Sequence, residues 1–547
     1  MKKRKKMTTI NGYRIKISRF NPDVDNSPTF KEYVVPHIDR GTFLDALQYI
    51  YEEMDSTLLF NYGCRYKVCG KCGIKINGRP SLACDTPLDN GMVLEPLDNF
   101  PVIRDLAVDR SGLIEPLKKH NIVISPVKEP EVAIQPPEFF QLIKCNECLL
   151  CLSNCPVFDK NVGYAGPFFG VKLAELYYDV RDNKRRLDEL NSLLDKCILC
   201  KQCDVDCPWN IDFSQISTKI KAELYRERKL PIRDWLISRP RLIGFFSLFL
   251  FSFFNILTKN KPFRKALDCL MKIEEKAPLP EYHPIRIRGQ EKKEQKFQRK
   301  VAYFIGCYEK FNNTTTARDS LFVLDVNKIE VKVLDLGCCG LPFIGIGDLD
   351  SAKRRAVAIC KEIKKLFTEG YEIIISCSSC ATMIKIEYPK LFHLLVEDGA
   401  QNRVFDIGDY LWQLHNSDQF NIKFKEIKRE IGYHLSCHLK ALKIGKPFVD
   451  LLRLIPELEV TAIFNQCCGM AGTMGFKKEK YDLSQKIGSP LIDEIEGSGL
   501  DLILSDCPSC QMKIKYGAKV NSFHPISVLR GAMQESEVNR KNRLLGS

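Results

Sequence analysis

The 547-residue sequence predicts a multidomain α+β chain, and three observations carry that prediction. The length exceeds a single core, since domains run to about 100–200 residues. The 24 cysteines fall in tight groups, each beside a different secondary-structure pattern. The part after residue 300 repeats itself with a period of about 130 residues. A hydrophobic content of 45% with 27% charged residues is ordinary for a globular chain.

Clustered cysteines in a long chain point to metal ligation in a reducing compartment, not to a secreted disulfide scaffold. The basic start Met1–Lys6 runs into Thr8, Thr9 and Asn11 and not into an apolar stretch, so no secretory signal and a cytoplasmic location are expected. The net charge of +14 suggests nucleic acid until it is located along the chain. Lys2–Lys6, Arg239–Lys265 and Arg286–Lys300 carry +5, +6 and +5, leaving about −2 for the remainder. No folded module is then strongly basic, and no nucleic-acid partner is expected.

The first group, Cys64, Cys69, Cys72 and Cys84, reads C-x4-C-x2-C-x11-C within a glycine-containing loop. This is the plant-type [2Fe–2S] spacing, three thiolates from a loop and a fourth from a following strand. Zinc also takes four thiolates, but this spacing is uncommon for it. Upstream, alternating Ile15 and Ile17 predict a strand, and Thr42 with Asp45 forms a capping box opening a helix through Leu44, Leu47 and Ile50. Strands and one helix in about 100 residues fit a ferredoxin-like β-grasp.

The next two groups are both C-x2-C-x2-C-x3-C-P, namely Cys145, Cys148, Cys151, Cys155 and Cys197, Cys200, Cys203, Cys207. In two-cluster ferredoxins the fourth cysteine of each run serves the other cluster. One [4Fe–4S] set is therefore Cys145, Cys148, Cys151 and Cys207, the other Cys197, Cys200, Cys203 and Cys155. Leu187, Leu190 and Leu194, then Ile216, Ile220 and Leu224, recur at helical spacing, so this module is helical.

From Leu242 to Leu257 sixteen uncharged residues stand between basic flanks. The run is short for a bilayer span of about 20 residues. It suits a helix lying in a membrane interface, with phenylalanines inserted and the flanks facing anionic headgroups, or a helix buried between domains.

The repeat matches Cys307, Cys338, Cys339, Cys377 and Cys380 with Cys437, Cys467, Cys468, Cys507 and Cys510, and each pair of adjacent cysteines precedes a glycine. Each cysteine station follows an apolar run such as Val301–Ile305 or Leu502–Leu504, so the thiolates are expected at the carboxyl ends of parallel strands. Five thiolates exceed the four that satisfy a zinc ion or a cubane. The two unmatched cysteines are Cys269 and Cys360, the latter at helical spacing with Ala356, Ile359 and Ile363 and so a core residue.

The patterns C-x30-CCG-x36-C-x2-C and C-x29-CCG-x37-C-x2-C resemble the CCG domain of heterodisulfide reductase catalytic subunits. The first three groups resemble the iron–sulfur subunit of succinate dehydrogenase/fumarate reductase, and the fusion resembles the iron–sulfur subunits of thiol:fumarate reductases. The resemblance implies one [2Fe–2S], two [4Fe–4S] and two noncubane [4Fe–4S] clusters, one for each five-cysteine set. It implies a partner flavoprotein carrying FAD, electron exchange between that flavin and the [2Fe–2S] site, and thiol coenzymes or menaquinone as reactants at the CCG sites. Peripheral placement on the inner face of the cytoplasmic membrane accompanies the menaquinone alternative.

Two features depart from the pattern. Quinone-reactive members of the succinate dehydrogenase family carry a non-cysteine where Cys200 stands, so [4Fe–4S] is expected here in place of [3Fe–4S]. The Leu242–Leu257 insertion resembles linkers of membrane-associated CCG proteins. Gly345-Ile346-Gly347 lacks the third glycine of a dinucleotide fingerprint, so the hydride step is expected on a partner. His434 and His438 flank Cys437 and are candidate catalytic proton donors, with backbone capping or packing as the competing role. The expected domains are 9–105 ([2Fe–2S] ferredoxin), 106–235 (two-cluster ferredoxin), 236–300 (apolar and basic linker), 301–405 and 406–535 (the two CCG domains).

Overall fold

A computed structural model describes residues 12–127, 134–158, 163–184, 186–227, 230–283, 299–421 and 423–533. The basic start Met1–Lys6 and most of Arg286–Lys300 lie outside these residues. The chain forms two compact units, one of residues 1–197 with 201–217, the other of 198–200 with 218–547.

In the first unit, alternation builds a five-stranded sheet from β1 (Gly12–Arg19), β2 (Thr29–Pro36), β3 (Gly73–Ile76), β4 (Arg79–Leu82) and β5 (Met92–Glu95), in the order β2-β1-β5-β3-β4. The β1–β5 pair is parallel and the other pairs antiparallel. Ile15, Ile17, Tyr33, Val35, Ile74 and Leu94 project from one face onto Phe43, Leu44 and Leu47 of helix Phe43–Tyr49. That helix opens with the expected capping box, Thr42 accepting from the Asp45 amide and Asp45 from the Thr42 amide. A hairpin of β6 (Val102–Arg104) and β7 (Ala107–Val108) follows, and then short helices, among them Pro137–Leu142, Gly166–Tyr178 and Leu187–Leu194.

The second unit takes in most of helix Phe213–Glu227, followed by helices Ile232–Ile237, Pro240–Lys259 and Lys261–Met271. Two four-stranded parallel sheets follow. Strands β8 (Arg299–Phe304), β9 (Ile329–Leu334), β10 (Glu372–Ile375) and β11 (Val404–Asp406) order as β11-β10-β8-β9. Strands β12 (Arg429–His434), β13 (Leu458–Phe464), β14 (Leu502–Leu504) and β15 (Asn521–Phe523) order as β13-β12-β14-β15, the same topology. One core runs through both, with Val301, Tyr303 and Ile374 of the first copy packed with Ile431, Tyr433 and Leu504 of the second. Helix Ile407–Asn416 packs on Pro447–Leu452, and Pro525–Ala532 packs on Thr314–Val326, so the last helix of each copy rests on the other.

The expected divisions at 105/106, 235/236, 300/301 and 405/406 fall inside the β6–β7 hairpin, helix Ile232–Ile237, β8 and β11. Composition and cysteine position marked those divisions, whereas strand ends are set by pairing with distant partners.

Candidate iron–sulfur sites

The first cysteine group lies on a loop between helix Phe43–Tyr49 and β3, with Cys84 arriving after β4. The loop turns its amides inward: Cys64 Sγ accepts from the Tyr66 and Cys69 amides at 3.3 and 3.2 Å, and Cys84 Sγ from the Lys67 amide at 3.3 Å. Arg65, Lys67 and Gly70 all take positive φ to make this wrap. A Cβ on Gly63 would stand 3.1 Å from Cys69 Sγ, so a side chain there would press on that sulfur. Backbone donation, from Tyr66 first, lowers the Cys64 thiol to about 7, while burial raises Cys72 to about 12. Four sulfurs cradled by N–H donors suit a [2Fe–2S] group.

In the helical part, Cys145, Cys148, Cys151 and Cys207 line one cavity enclosing about 450 Å³, part of it continuous with solvent. Cys203 also borders it, and Phe168, Val171 and Phe213 supply apolar wall. Charge on Cys207 acts on Cys145, Cys148 and Cys151, while Cys155 responds to Cys197 and also acts on Cys151. The two runs share a backbone device: Glu147 and Leu149 in one, Leu199 and Lys201 in the other, adopt positive φ. Non-glycine residues enter that region at a cost of about 1–2 kcal/mol, so its repetition marks a conformation imposed on the cysteine loops. Burial raises Cys148 and Cys155 to about 12, so binding a cluster there must release protons.

In the duplicated part, Cys307, Cys338 and Cys377 follow β8, β9 and β10, and Cys437, Cys467 and Cys507 follow β12, β13 and β14. The sulfurs of the first set touch in series, Cys307 to Cys338, Cys338 to Cys339, Cys339 to Cys380 and Cys380 to Cys377. In the second set Cys467 meets Cys468, Cys468 lies 3.2 Å from Cys510, and Cys510 meets Cys507, with Cys437 within electrostatic reach of Cys468 and Cys507. Donation from Cys307 holds Cys338 well below the ordinary thiol value, and donation from Cys467 does the same for Cys468. The Gly340 and Gly469 amides donate to Cys338 and Cys467 at 3.4 Å from backbones with φ of 97° and 77°. Cys360 is a buried helix residue apart from both sets. Among the described residues, no three Cys, His, Asp or Glu side chains are gathered tightly enough to hold a single metal ion.

The two histidines have different surroundings. His434 is buried, with Nδ1 3.1 Å from Ser505 Oγ and Nε2 3.0 Å from the Gln466 carbonyl, and burial lowers its pKa. Both ring nitrogens therefore tie loops of its own sheet together. His438 Nδ1 lies 2.8 Å from Ser379 Oγ, which is 3.7 Å from Cys507 Sγ. Ser379, between Cys377 and Cys380, thus reaches a sulfur of the other set. Sequence reasoning passed over Ser379, although its place inside CSSC was a signal; Asp406, Asp506 and His524, which are buried where the two copies meet, gave none. Elsewhere in this unit, Cys200 acts on the charge of Cys467.

Paired parallel sheets with cysteine-lined strand ends, joined on one chain to a cysteine-wrapped mixed sheet and a two-run cysteine module, define a multicentre iron–sulfur protein. Comparison with known families agrees. A 2Fe-2S iron-sulfur cluster binding domain matches residues 14–115, a 4Fe-4S dicluster domain matches 141–211, and a cysteine-rich (CCG) domain matches 301–385 and again 431–515. The chain is 28% identical to one of the subunits of fumarate reductase (CoM/CoB) from Methanothermobacter marburgensis, over 94% of this chain and 97% of that one. It is 31% identical to one of the subunits of anaerobic glycerol-3-phosphate dehydrogenase from Escherichia coli K12, over 71% of this chain and 98% of that one. It is 36% identical to the fumarate reductase iron-sulfur subunit of Escherichia coli O6:H1, over 38% of this chain and 90% of that one. The chain belongs to this family of iron–sulfur subunits of fumarate reductase and related dehydrogenase complexes, in the form that carries [2Fe–2S], [4Fe–4S] and duplicated CCG domains. The zinc alternative left open by the first cysteine spacing is thereby set aside.

Proposed function

We propose that the chain is the electron-relay subunit of a fumarate reductase/succinate dehydrogenase complex, working between an FAD-containing flavoprotein and CCG sites that oxidise thiols. The observation that carries this reading is the chaining of cysteine sites. The loop of the first group meets the loop of the second, where Asn146 Nδ2 donates to the Lys67 carbonyl at 2.8 Å, and Cys200 lies within electrostatic reach of Cys467. Bound clusters of these types gain and lose single electrons. Cys64, Cys69, Cys72 and Cys84 would hold the [2Fe–2S] group. Cys145, Cys148, Cys151 and Cys207 would hold one [4Fe–4S], and Cys197, Cys200, Cys203 and Cys155 the other. Each five-cysteine set would hold a noncubane [4Fe–4S], with the mutually touching sulfurs presenting more ligands than a cubane uses. Ser379, oriented by His438, places a hydroxyl on Cys507 at the face between the two CCG sets. We read the mixed sheet with its parallel β1–β5 pair as a β-grasp.

The test is the anaerobically purified complex. About 18 irons per chain are expected, together with fumarate reduction driven by coenzyme thiols and not by menaquinol. A thiol-inert complex that takes electrons from menaquinol would replace this reading with the second. That second reading, a membrane-associated quinone-linked subunit, is favoured by the helix Pro240–Lys259. No single described helix is long and apolar enough to cross a membrane, but Pro240–Phe246 and Phe251–Lys259 form an apolar pair bent by 112°. Phe246, Phe253 and Ile256 on it are exposed.

A further inference from the structure

We propose that Arg110 is a positioning residue for electron exchange: its guanidinium fixes a positive charge where the [2Fe–2S] and first [4Fe–4S] ligand loops meet, and raises the reduction potential of both. This deepens the relay reading and rests on it.

Arg110 follows the β6–β7 hairpin and reaches back to the first cysteine loop. Nη1 donates to the Gly70 carbonyl and Nη2 to the Lys71 carbonyl, both at 3.4 Å, and these carbonyls lie between Cys69 and Cys72. Its Nε is buried with no hydrogen-bond partner. On its other side Gly70 is pressed against the second loop: with φ of 65°, a Cβ there would stand 2.5 Å from the Asn146 carbonyl oxygen and 2.8 Å from Cys148 Cα. The two loops therefore touch backbone to backbone beside the guanidinium. Burial opposes the charge on Arg110, and the groups that favour it are the sulfurs of Cys148, Cys72 and Cys69, not a carboxylate.

A guanidinium does not give up its proton in a protein. Burying that charge costs free energy unless negative charge sits close by. Taking up one electron adds one unit of negative charge to a ligand set, and an adjacent fixed cation favours that change most where water is excluded. Arg110 acts on two sets at once, so it lowers the cost of reducing either and keeps their potentials moving together. A residue whose only task was to brace the loop could do so through hydrogen bonds alone.

The experiment uses the full chain, purified anaerobically with its iron, and a redox titration that follows the low-temperature paramagnetic signals of the reduced sites. Arg110→Gln keeps a hydrogen-bond donor and removes the charge, while Arg110→Lys keeps the charge and removes the fork. The Gln variant is expected to move the reduction equilibrium of both sites about tenfold toward the oxidised form, 59 mV for a one-electron couple. The Lys variant is expected to titrate as the unmutated protein does, and signals from the CCG region to stay in place in both. Wild-type potentials in an iron-replete Gln variant would overturn the proposal. Should the Gln variant lose iron, the Lys variant decides. Unchanged potentials there uphold the charge role, and iron loss or lowered potentials there assign Arg110 to loop bracing alone. Unmutated protein without iron or paramagnetic signals would instead remove the relay reading itself, and the proposal with it.

Discussion

Two glycines at equivalent places in the CCG repeats carry different burdens. A Cβ on Gly469 would stand 2.1 Å from the Ser484 carbonyl oxygen, whereas Gly340 has nothing nearer than 3.5 Å. Gly340→Ala is expected to cost only the strain of its positive φ, about 1 kcal/mol, and Gly469→Ala about 3 kcal/mol or more with loss of iron from the second set; thermal melts and iron content of the two variants check this. His524 gives a pH dependence. Its Nδ1 accepts the Ile526 amide and its Nε2 donates to the Ser376 carbonyl, so the first bond needs the neutral ring, and burial depresses its pKa to about 4 from 6.5. Between those values the unfolded chain binds the proton and the folded chain does not, so the stability tied to His524 is full above pH 6.5 and is lost as pH falls toward 4. His524→Asn retains a cap acceptor and should lose less melting temperature than the unmutated protein across that window. The metal-ligand candidates were legible because spacing alone restricts thiolate geometry. Arg110 and His524 were not, since each acts on residues tens or hundreds of positions away.

Strands and helices were legible where a face is half buried. Ile15 and Ile17 sit in β1 with their side chains fully buried, and the Thr42 capping box opens its helix as the pattern implied. The Leu242–Leu257 run was less decisive, because length and polarity describe a membrane-lying helix and a core helix equally well. Its helix has both characters. Phe245 packs at a tilt near Phe311, and Gly244 lies against the same ring, while Phe246 and Phe253 are 71% and 58% exposed. Arg239 and Arg241 pair with Asp348 and Asp335, which leaves less basic charge for headgroups at that end than the sequence suggested. Phe246→Ser with Phe253→Ser is expected to abolish co-sedimentation with anionic vesicles and leave iron content and melting within about 0.5 kcal/mol of the parent, as for exposed side chains. Equal vesicle binding by parent and variant would leave the quinone-linked reading without its supporting helix.

At the scale of the molecule, the crossed assignment of the fourth cysteines proposed above would tie the two C-x2-C-x2-C-x3-C-P runs into one module. Cys207→Ser should then remove or convert the centre held by Cys145, Cys148 and Cys151, and Cys155→Ser the centre held by Cys197, Cys200 and Cys203; paramagnetic spectra of the two variants distinguish this from uncrossed ligation. The duplication was visible from cysteine offsets, but its consequence was not, because the exchange between copies depends on residues outside the repeat motif. His524, at the end of β15, bonds the Ser376 carbonyl beside Cys377, and Asp406, at the end of β11, lies by Asp506 beside Cys507. The closing helices are traded in the same sense, Pro525–Ala532 onto the first copy and Ile407–Asn416 onto the second. Such reciprocal bracing is what a two-fold pair of protomers builds across its contact. The polypeptide keeps a dimer's symmetry inside one strand of synthesis, and a cut between the repeats would yield two halves each missing the lock that the other supplies.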